Sequence, residues 1–156
     1  REFTVNQPVN GGGVNLQGFE FSYQQPLDFL PIEGFGVLGN YTFIENSDPT
    51  QLTAASKHNF NVSSYYETER LGFRLSYTWR DGFLTNPGSP TGDGTRASPF
   101  GVLDGNFTFN VNERVSLVFE AINILDEADV RQTLTGLPNS FSDSGRRILF
   151  GVKSRF

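Results

Sequence analysis

The stretch from Leu71 to Arg80 alternates strictly between apolar and polar positions. Its odd-numbered residues are all aliphatic or aromatic, whereas its even-numbered residues are glycine, serine, threonine and two arginines. A period of two is typical of a β-strand with one apolar face and one polar face. Residues 145–156 show the same pattern, with Ile148, Phe150, Val152 and Phe156 in one row. Such strands require a sheet that is apolar on one side and hydrated on the other.

The alternation predicts an all-β chain of about eight antiparallel strands. Besides the two segments above, it marks residues 2–6, 14–25, 35–43, 59–66, 103–111 and 115–121. Short connections at 26–34, 67–70 and 111–114 alternate with long ones at 7–13, 44–57, 81–99 and 124–144, which carry turn residues and no periodicity. Outer-membrane barrels have short turns at one rim, long loops at the other and an even number of strands. The sequence therefore predicts an up-and-down transmembrane β-barrel segment.

Composition excludes several other classes of protein. The chain has 16 Phe, 17 Gly, no Cys and no Met, and its net charge is −5. This charge argues against a nucleic-acid partner, because phosphate binding requires clustered Lys and Arg. We find no signal peptide and no apolar run long enough for a membrane helix. We expect no cofactor and no metal site, and a start without Met suggests a fragment or a processed chain.

Several motifs resemble those of TonB-dependent outer-membrane receptors. Towards the end of the chain the similarity lies in Glu113–Leu117, Ala121–Asp126, Gly145–Arg147 and the final strand. Upstream it lies in Gly18–Glu20, Leu30–Pro31, Gly34–Gly36 and Asn40–Phe43. A third set, Ser56–Asn59, Tyr65–Glu67, Phe73–Arg74, Ser76–Tyr77 and Arg80, is similar to a proteobacterial branch that is often linked to oligosaccharide uptake. Together these motifs cover nearly the whole chain.

The resemblance implies a role, a location and partners. Residues 1–156 would form the last strands of a 22-stranded barrel in the bacterial outer membrane, without the plug domain. The implied partners are outer-membrane lipid, the rest of the barrel and its plug, TonB acting through the missing N-terminal part with its TonB box, and the barrel assembly machinery. The assembly signal would be Ile148, Phe150, Val152 and Phe156, although Ser154 departs from the usual aromatic or apolar pattern. No reaction would be catalysed.

The long connections are the expected place for ligand recognition, because their sequence is free of the constraints that pairing and lipid impose on the strands. The resemblance implies that ligand is held by these loops and by the plug. Candidate contacts are Trp79, Arg80, Asp81, Asn86, Asp93, Arg96, Arg131 and Asn139. Both an oligosaccharide and a siderophore fit this polar set.

Two other architectures remain open from the sequence. A complete eight-stranded barrel that serves as an anchor or adhesin fits the strand count, and a soluble ligand-binding barrel fits the alternation if the polar face points outward. His58 with Asp48 and a serine at 63 or 64 can be drawn as a hydrolase triad, but a histidine at the barrel rim is the simpler interpretation. The acids between 126 and 143 lack the spacing of a calcium loop.

Overall fold

The computed structural model describes residues 5, 7, 12–89 and 92–155. Within these residues the chain forms eleven β-strands and no helix. The strands are β1 (Leu16–Pro26), β2 (Phe35–Asn46), β3 (His58–Glu67), β4 (Leu71–Arg80), β5 (Phe83–Asn86), β6 (Thr95–Ala97), β7 (Phe100–Asn110), β8 (Val115–Ile122), β9 (Asp129–Thr133), β10 (Pro138–Ser142) and β11 (Arg147–Ser154). No helix in the described residues is long and apolar enough to cross a membrane.

Seven of the strands form one antiparallel sheet in the order β1-β2-β3-β4-β7-β8-β11. We call this the wall. Neighbouring wall strands also follow one another along the chain, apart from two excursions that contain the four other strands. The prediction of an all-β, antiparallel, up-and-down barrel segment is therefore confirmed. Seven of the eight predicted strands are present, and the eighth, at 2–6, lies outside the described residues except for Val5, which is not in a strand.

The register of the wall places apolar side chains in rows across one face. One row runs through Phe21, Tyr41, Phe60 and Trp79, and a second runs through Tyr66, Phe73, Phe107, Phe119 and Phe150. These side chains are not covered, since Phe21 is 60% exposed and Phe150 is 71% exposed. The buried apolar residues of the described chain, Leu84 and Ala97, both lie outside the wall. The wall thus has no interior core, and its apolar face needs an apolar surrounding.

Hydroxyl and amide side chains on the opposite face bond from strand to strand. Asn61 donates to the Thr78 hydroxyl at 2.6 Å, and the hydroxyls of Ser63 and Ser76 lie 2.7 Å apart. Ser63 is only 4% exposed, so this bond satisfies a buried group. We call this side the polar face.

Short and long connections lie at opposite ends of the wall. The short ones are 27–34, 68–70 and 111–114, and the long ones are 47–57, 81–99 and 123–146. Local chemistry fixes the short turns: Asn112 Oδ1 accepts hydrogen bonds from the backbone of Arg114 and Val115, both at 2.9 Å. Gly34 has a φ of +86°, and its carbonyl accepts from Glu67 N at 2.8 Å. This position favours glycine because other residues rarely adopt that φ.

The long connections differ from the sequence prediction because two of them contain regular structure. Strands β5, β6, β9 and β10 form a second antiparallel sheet in the order β10-β9-β6-β5. These strands have three to five residues, and two of the pairings contain register shifts. Strands this short have too few alternating positions for a period of two to be visible in the sequence.

Candidate functional site

The long connections combine into one ordered unit at their end of the wall. We call it the cap and define it as the second sheet together with residues 47–57. The first long connection is fastened to the second, since Ala54 N donates to Leu84 O at 2.9 Å and the buried Ser56 hydroxyl donates to Asp81 O at 2.9 Å. The second is fastened to the third by the β6–β9 pairing. The cap is therefore an assembly of three connections rather than three separate loops.

Asn123 ties the wall to the third long connection. Its side chain donates to Glu127 O and accepts from Glu127 N, both at 2.9 Å, and its backbone N donates to Asp104 Oδ1 at 2.9 Å. Asn123 is 4% exposed and has a φ of +55°, a conformation that asparagine tolerates better than most residues. The side chain thus ends β8 and starts the excursion into the cap.

A charged junction links the cap to the end of β4. Arg80 Nη2 lies 3.5 Å from Asp129 Oδ1, and Arg131 Nη2 lies 3.9 Å from Asp129 Oδ2. The Arg80 guanidinium also lies over the rings of Phe83 and Phe100, 4.7 Å and 5.4 Å from their centroids. Asp129 Oδ1 is buried and makes no hydrogen bond within the described residues. Asp129 therefore depends on its two arginines for compensation of its charge.

The tips of the two cap hairpins meet at Asp93. Its Oδ2 accepts a hydrogen bond from the Thr135 hydroxyl at 2.7 Å, and Leu134 N donates to Gly94 O at 2.9 Å. The Thr135 hydroxyl holds the pKa of the Asp93 carboxyl below its usual value of 3.8, because the bond favours the charged form. Asn86 lies in the same hairpin, where its Oδ1 accepts from Gly88 N at 2.9 Å.

A groove of about 550 Å³ lies between residues 47–57 and the second sheet. Its lining includes two of the predicted contacts, Asp81 and Arg96, and also the ion pair of Glu45 with Lys57 at 3.2 Å. Leu52, Phe83, Leu84 and Leu134 supply apolar surface to the same groove. This groove combines charged groups with an apolar floor, which is the usual character of a small-molecule site.

The eight predicted contacts fall into separate groups. Arg80 and Arg131 meet through Asp129, Asp81 and Arg96 share the groove, and Asn86 and Asp93 lie in one hairpin. Arg96 pairs with Gln132 and Arg131 pairs with Ala97, so the two cap arginines point to opposite sides of the second sheet. Asn139 is exposed at the register shift in β10. Trp79 lies apart on the apolar face, stacked on Phe60 with ring centroids 5.4 Å apart.

Two side chains that hold the cap in place were not among the predicted contacts. Asn123 belongs to the motif Ala121–Asp126 that carries part of the family resemblance, and this motif was the only available signal for its importance. Asp129 figured only as one of several loop acids. Its ion pair with Arg80 joins residues far apart in the chain, and no local sequence pattern predicts such a pair.

The residues of the predicted assembly signal lie on the apolar face. Ile148, Phe150 and Val152 are 71%, 71% and 63% exposed and form one row along β11. Phe156 lies outside the described residues. Their role in assembly stays a prediction.

The hydrolase arrangement drawn from the sequence is not assembled. His58 Nδ1 lies 2.7 Å from the Tyr41 hydroxyl, and the His58 ring contacts Phe43 on the apolar face. Ser63 is on the polar face, where it bonds to Ser76. The residues that the structure describes contain no group of three or more His, Asp or Glu able to hold a metal ion.

Comparison with known proteins identifies the family. The family model described as "TonB dependent receptor-like, beta-barrel" matches residues 2–124, well over half of the 156 residues. The chain belongs to this TonB-dependent receptor-like β-barrel family. Neither a curated protein nor a solved structure matches the chain. The matched segment contains β1 to β8 and therefore six of the seven wall strands.

Family membership explains why the apolar side chains of the wall are exposed rather than buried in a core. TonB-dependent receptors are receptors and transporters rather than enzymes. A transmembrane barrel turns an apolar band with aromatic girdles outward and a polar surface inward. The apolar face of the wall fits the outward band, and Tyr41, His58 and Trp79 lie at its cap end. The polar face of the wall fits the inward surface.

Proposed function

We propose that this receptor imports a scarce ligand across the bacterial outer membrane, with its wall forming part of the barrel and its cap facing the outside. The observation that carries the proposal is the wall itself, which exposes its aromatic rows on one face and bonds its polar residues on the other. Family membership supports the energy source, because the family is named for its dependence on TonB. The outer membrane is the corresponding location.

The cap supplies surfaces suited to ligand recognition. The groove that contains Asp81 and Arg96 offers hydrogen-bond partners of both signs beside apolar side chains. The Arg80 and Arg131 junction lies where the cap joins the wall, so it is placed to respond when ligand occupies the cap. Asn86, Asp93 and Asn139 are exposed and available for contact. Trp79 serves as an interfacial aromatic anchor, since it faces the apolar side.

The remaining parts of the proposal follow from the same barrel. Outer-membrane lipid covers the apolar face, and the rest of the barrel pairs with the outer edges of β1 and β11, because lipid cannot satisfy free backbone groups. A plug fills the polar side, and TonB pulls on it through an N-terminal segment. The barrel assembly machinery reads Ile148, Phe150, Val152 and Phe156. No catalysed step and no cofactor are required.

Uptake assays in cells test this function. Cells that lack the receptor, cells that lack TonB and complemented cells are compared for uptake of radiolabelled maltooligosaccharides and of iron-55 siderophore complexes. We expect one compound class to lose uptake in both deletions and to regain it with the complete receptor. Arg96→Ala with Asp81→Ala should reduce that uptake, whereas Arg146→Ala, which lies outside the groove and is not a candidate contact, should leave it nearly unchanged. Uptake that persists without TonB contradicts the proposal.

A further inference from the structure

Strand β10 forms a free edge of the second sheet. The sheet order is β10-β9-β6-β5, and the outer side of β10 has no strand partner within the described residues. Its residues, Pro138–Ser142, are all exposed and uncharged. Proteins usually protect such an edge with charges, proline, a bulge or a covering segment, because its free backbone groups pair readily. Pro138 and the register shift protect only the start of β10, so residues 140–142 remain suited to a covering segment.

An aromatic side chain lies uncovered beside this edge. Phe141 pairs with Val130, and Gln132, two positions further along β9, continues the same face through Arg96 to Leu84. Phe141 and Leu84 therefore lie on one face of the second sheet, at its two edges. Leu84 is only 9% exposed, whereas Phe141 is 69% exposed. The face is thus covered at the β5 edge and bare at the β10 edge.

The β5 edge shows which kind of segment covers this sheet. Ala54 N donates to Leu84 O at 2.9 Å, and Leu52 lines the same groove as Leu84. These covering residues belong to 47–57, the long connection between β2 and β3, and β3 is the wall neighbour of β4. Because the excursion to β5 leaves from the end of β4, this edge is covered by the long connection next to it along the wall.

The second sheet follows the order of the wall. β5 and β6 belong to the connection between β4 and β7, and β9 and β10 belong to the connection between β8 and β11. The free edge of β10 therefore faces the same way around the barrel as the free edge of β11. A strand that pairs antiparallel with β11 runs towards the cap end, because β11 runs away from it. The connection that follows such a strand emerges beside β10.

We propose that the free edge of β10 binds the long connection that follows the wall strand paired with β11, so that the second sheet continues around the rim of the barrel. The occupant is an extended segment of the same receptor from outside residues 1–156. It adds a strand through main-chain hydrogen bonds and covers Phe141 with its own side chains. Ser140 points to the other face and stays accessible. The inference rests on the barrel of the proposed function but does not depend on the cargo.

Photo-cross-linking from defined positions tests this contact. Benzoylphenylalanine, which on irradiation bonds to C–H groups beside it, replaces Phe141 in the complete receptor in cells. A second receptor carries it at Phe150 of β11, which pairs with Phe119 of β8 on one side. Cross-linked peptides are identified by mass spectrometry. We expect position 150 to link to β8 and to a strand outside residues 1–156, and position 141 to link to the connection that directly follows that strand.

Matched controls make the result specific. Phe29 is 75% exposed and lies in a short connection at the other end of the wall, so benzoylphenylalanine there should give no product with that connection. In the receptor labelled at position 141, Asn139→Lys places a charge at the edge of β10 and should cause loss of the product. Asn139→Gln keeps the edge uncharged and should retain it. Heat-modifiable mobility confirms that each variant is folded.

Three outcomes at position 141 overturn the proposal. These are no peptide product while position 150 links to β8, a product with any other part of the receptor, and a product with a different protein. Each of these leaves the import proposal intact, because uptake is measured separately. If position 150 reaches no strand outside residues 1–156, the barrel of the proposed function is contradicted and this contact is overturned with it.

Discussion

Leu75→Arg is the substitution that most clearly separates the two faces of the wall. Leu75 lies at the centre of β4, paired with Ser64 on one side and Gly105 on the other. The strand has 10 residues, which corresponds to about 34 Å of length and, at a tilt of about 45°, to about 24 Å of height. The apolar band of an outer-membrane barrel is about 25 Å tall, so Leu75 lies near the bilayer midplane.

An arginine at that depth should cost about 2 to 4 kcal/mol of folding free energy. This corresponds to a roughly 30-fold to 700-fold change in the folding equilibrium constant. The control is Thr78→Arg on the polar face of the same strand, which forfeits the hydrogen bond from Asn61 and should cost about 1 kcal/mol. Denaturant titrations of the complete receptor folded into lipid vesicles measure both changes. Equal penalties on the two faces would refute the assignment of the faces.

Three further outcomes follow from the structure. Asn123→Ala should destabilise the third long connection by about 2 kcal/mol, because alanine at this position strains a positive φ and removes both side-chain bonds to Glu127. Hydrogen exchange should therefore rise in the third long connection while the wall strands stay protected. The pKa of Asp93 is lowered in the folded state, chiefly by its bond from the Thr135 hydroxyl, so this bond stabilises the cap above pH 3.8 and is lost as the pH falls through the lowered value. Hydrogen exchange at the hairpin tips should rise in that acidic range, and Thr135→Val, which removes the hydroxyl but not the other bonds to Asp93, should weaken the pH dependence. Deleting Phe156 should lower the amount of heat-modifiable receptor in the outer membrane far more than it lowers ligand binding per folded molecule.

The wall strands could be predicted because each is marked by an alternation of apolar and polar residues within its own sequence. The observed bounds of β4 equal those of the alternating segment, and each apolar position of that segment lies on one face. The ends of other strands depend on partners instead. β2 continues to Asn46 because its last residues pair with Leu16 and Gln17 across the sheet. Such pairing extends a strand beyond the point where its own pattern stops.

The same dependence on partners explains what the sequence did not reveal at the cap. Phe100 lies outside the alternating segment 103–111, so that pattern does not assign it to a face of the sheet. The structure pairs it with Arg80, which places it on the polar face beneath the guanidinium. The second sheet was hidden for a related reason. Its strands are short, and β6 is held by neighbours on both sides rather than by its own propensity.

The candidate site was predictable in position but not in detail. Asp81 and Arg96 lie in a long connection, and the structure brings them to one groove. Trp79 was counted with them because it ends the same strand as Arg80. The two side chains lie on opposite faces of the sheet, because consecutive residues of a strand point to opposite sides. Asp129 could not be singled out from other loop acids, because only the fold brings it to Arg80.

The orientation of the wall is the central claim, and labelling of single cysteines tests it most directly. Residues 1–156 contain no cysteine, so a cysteine introduced there is unique within this part of the receptor. Ser140→Cys lies in the exposed β10 strand of the cap, and Glu113→Cys lies in the short turn before β8. In intact cells that carry the complete receptor, a membrane-impermeant maleimide should label position 140 and should reach position 113 only after the outer membrane is opened. Labelling of position 113 in intact cells, with position 140 protected, would contradict the proposed orientation.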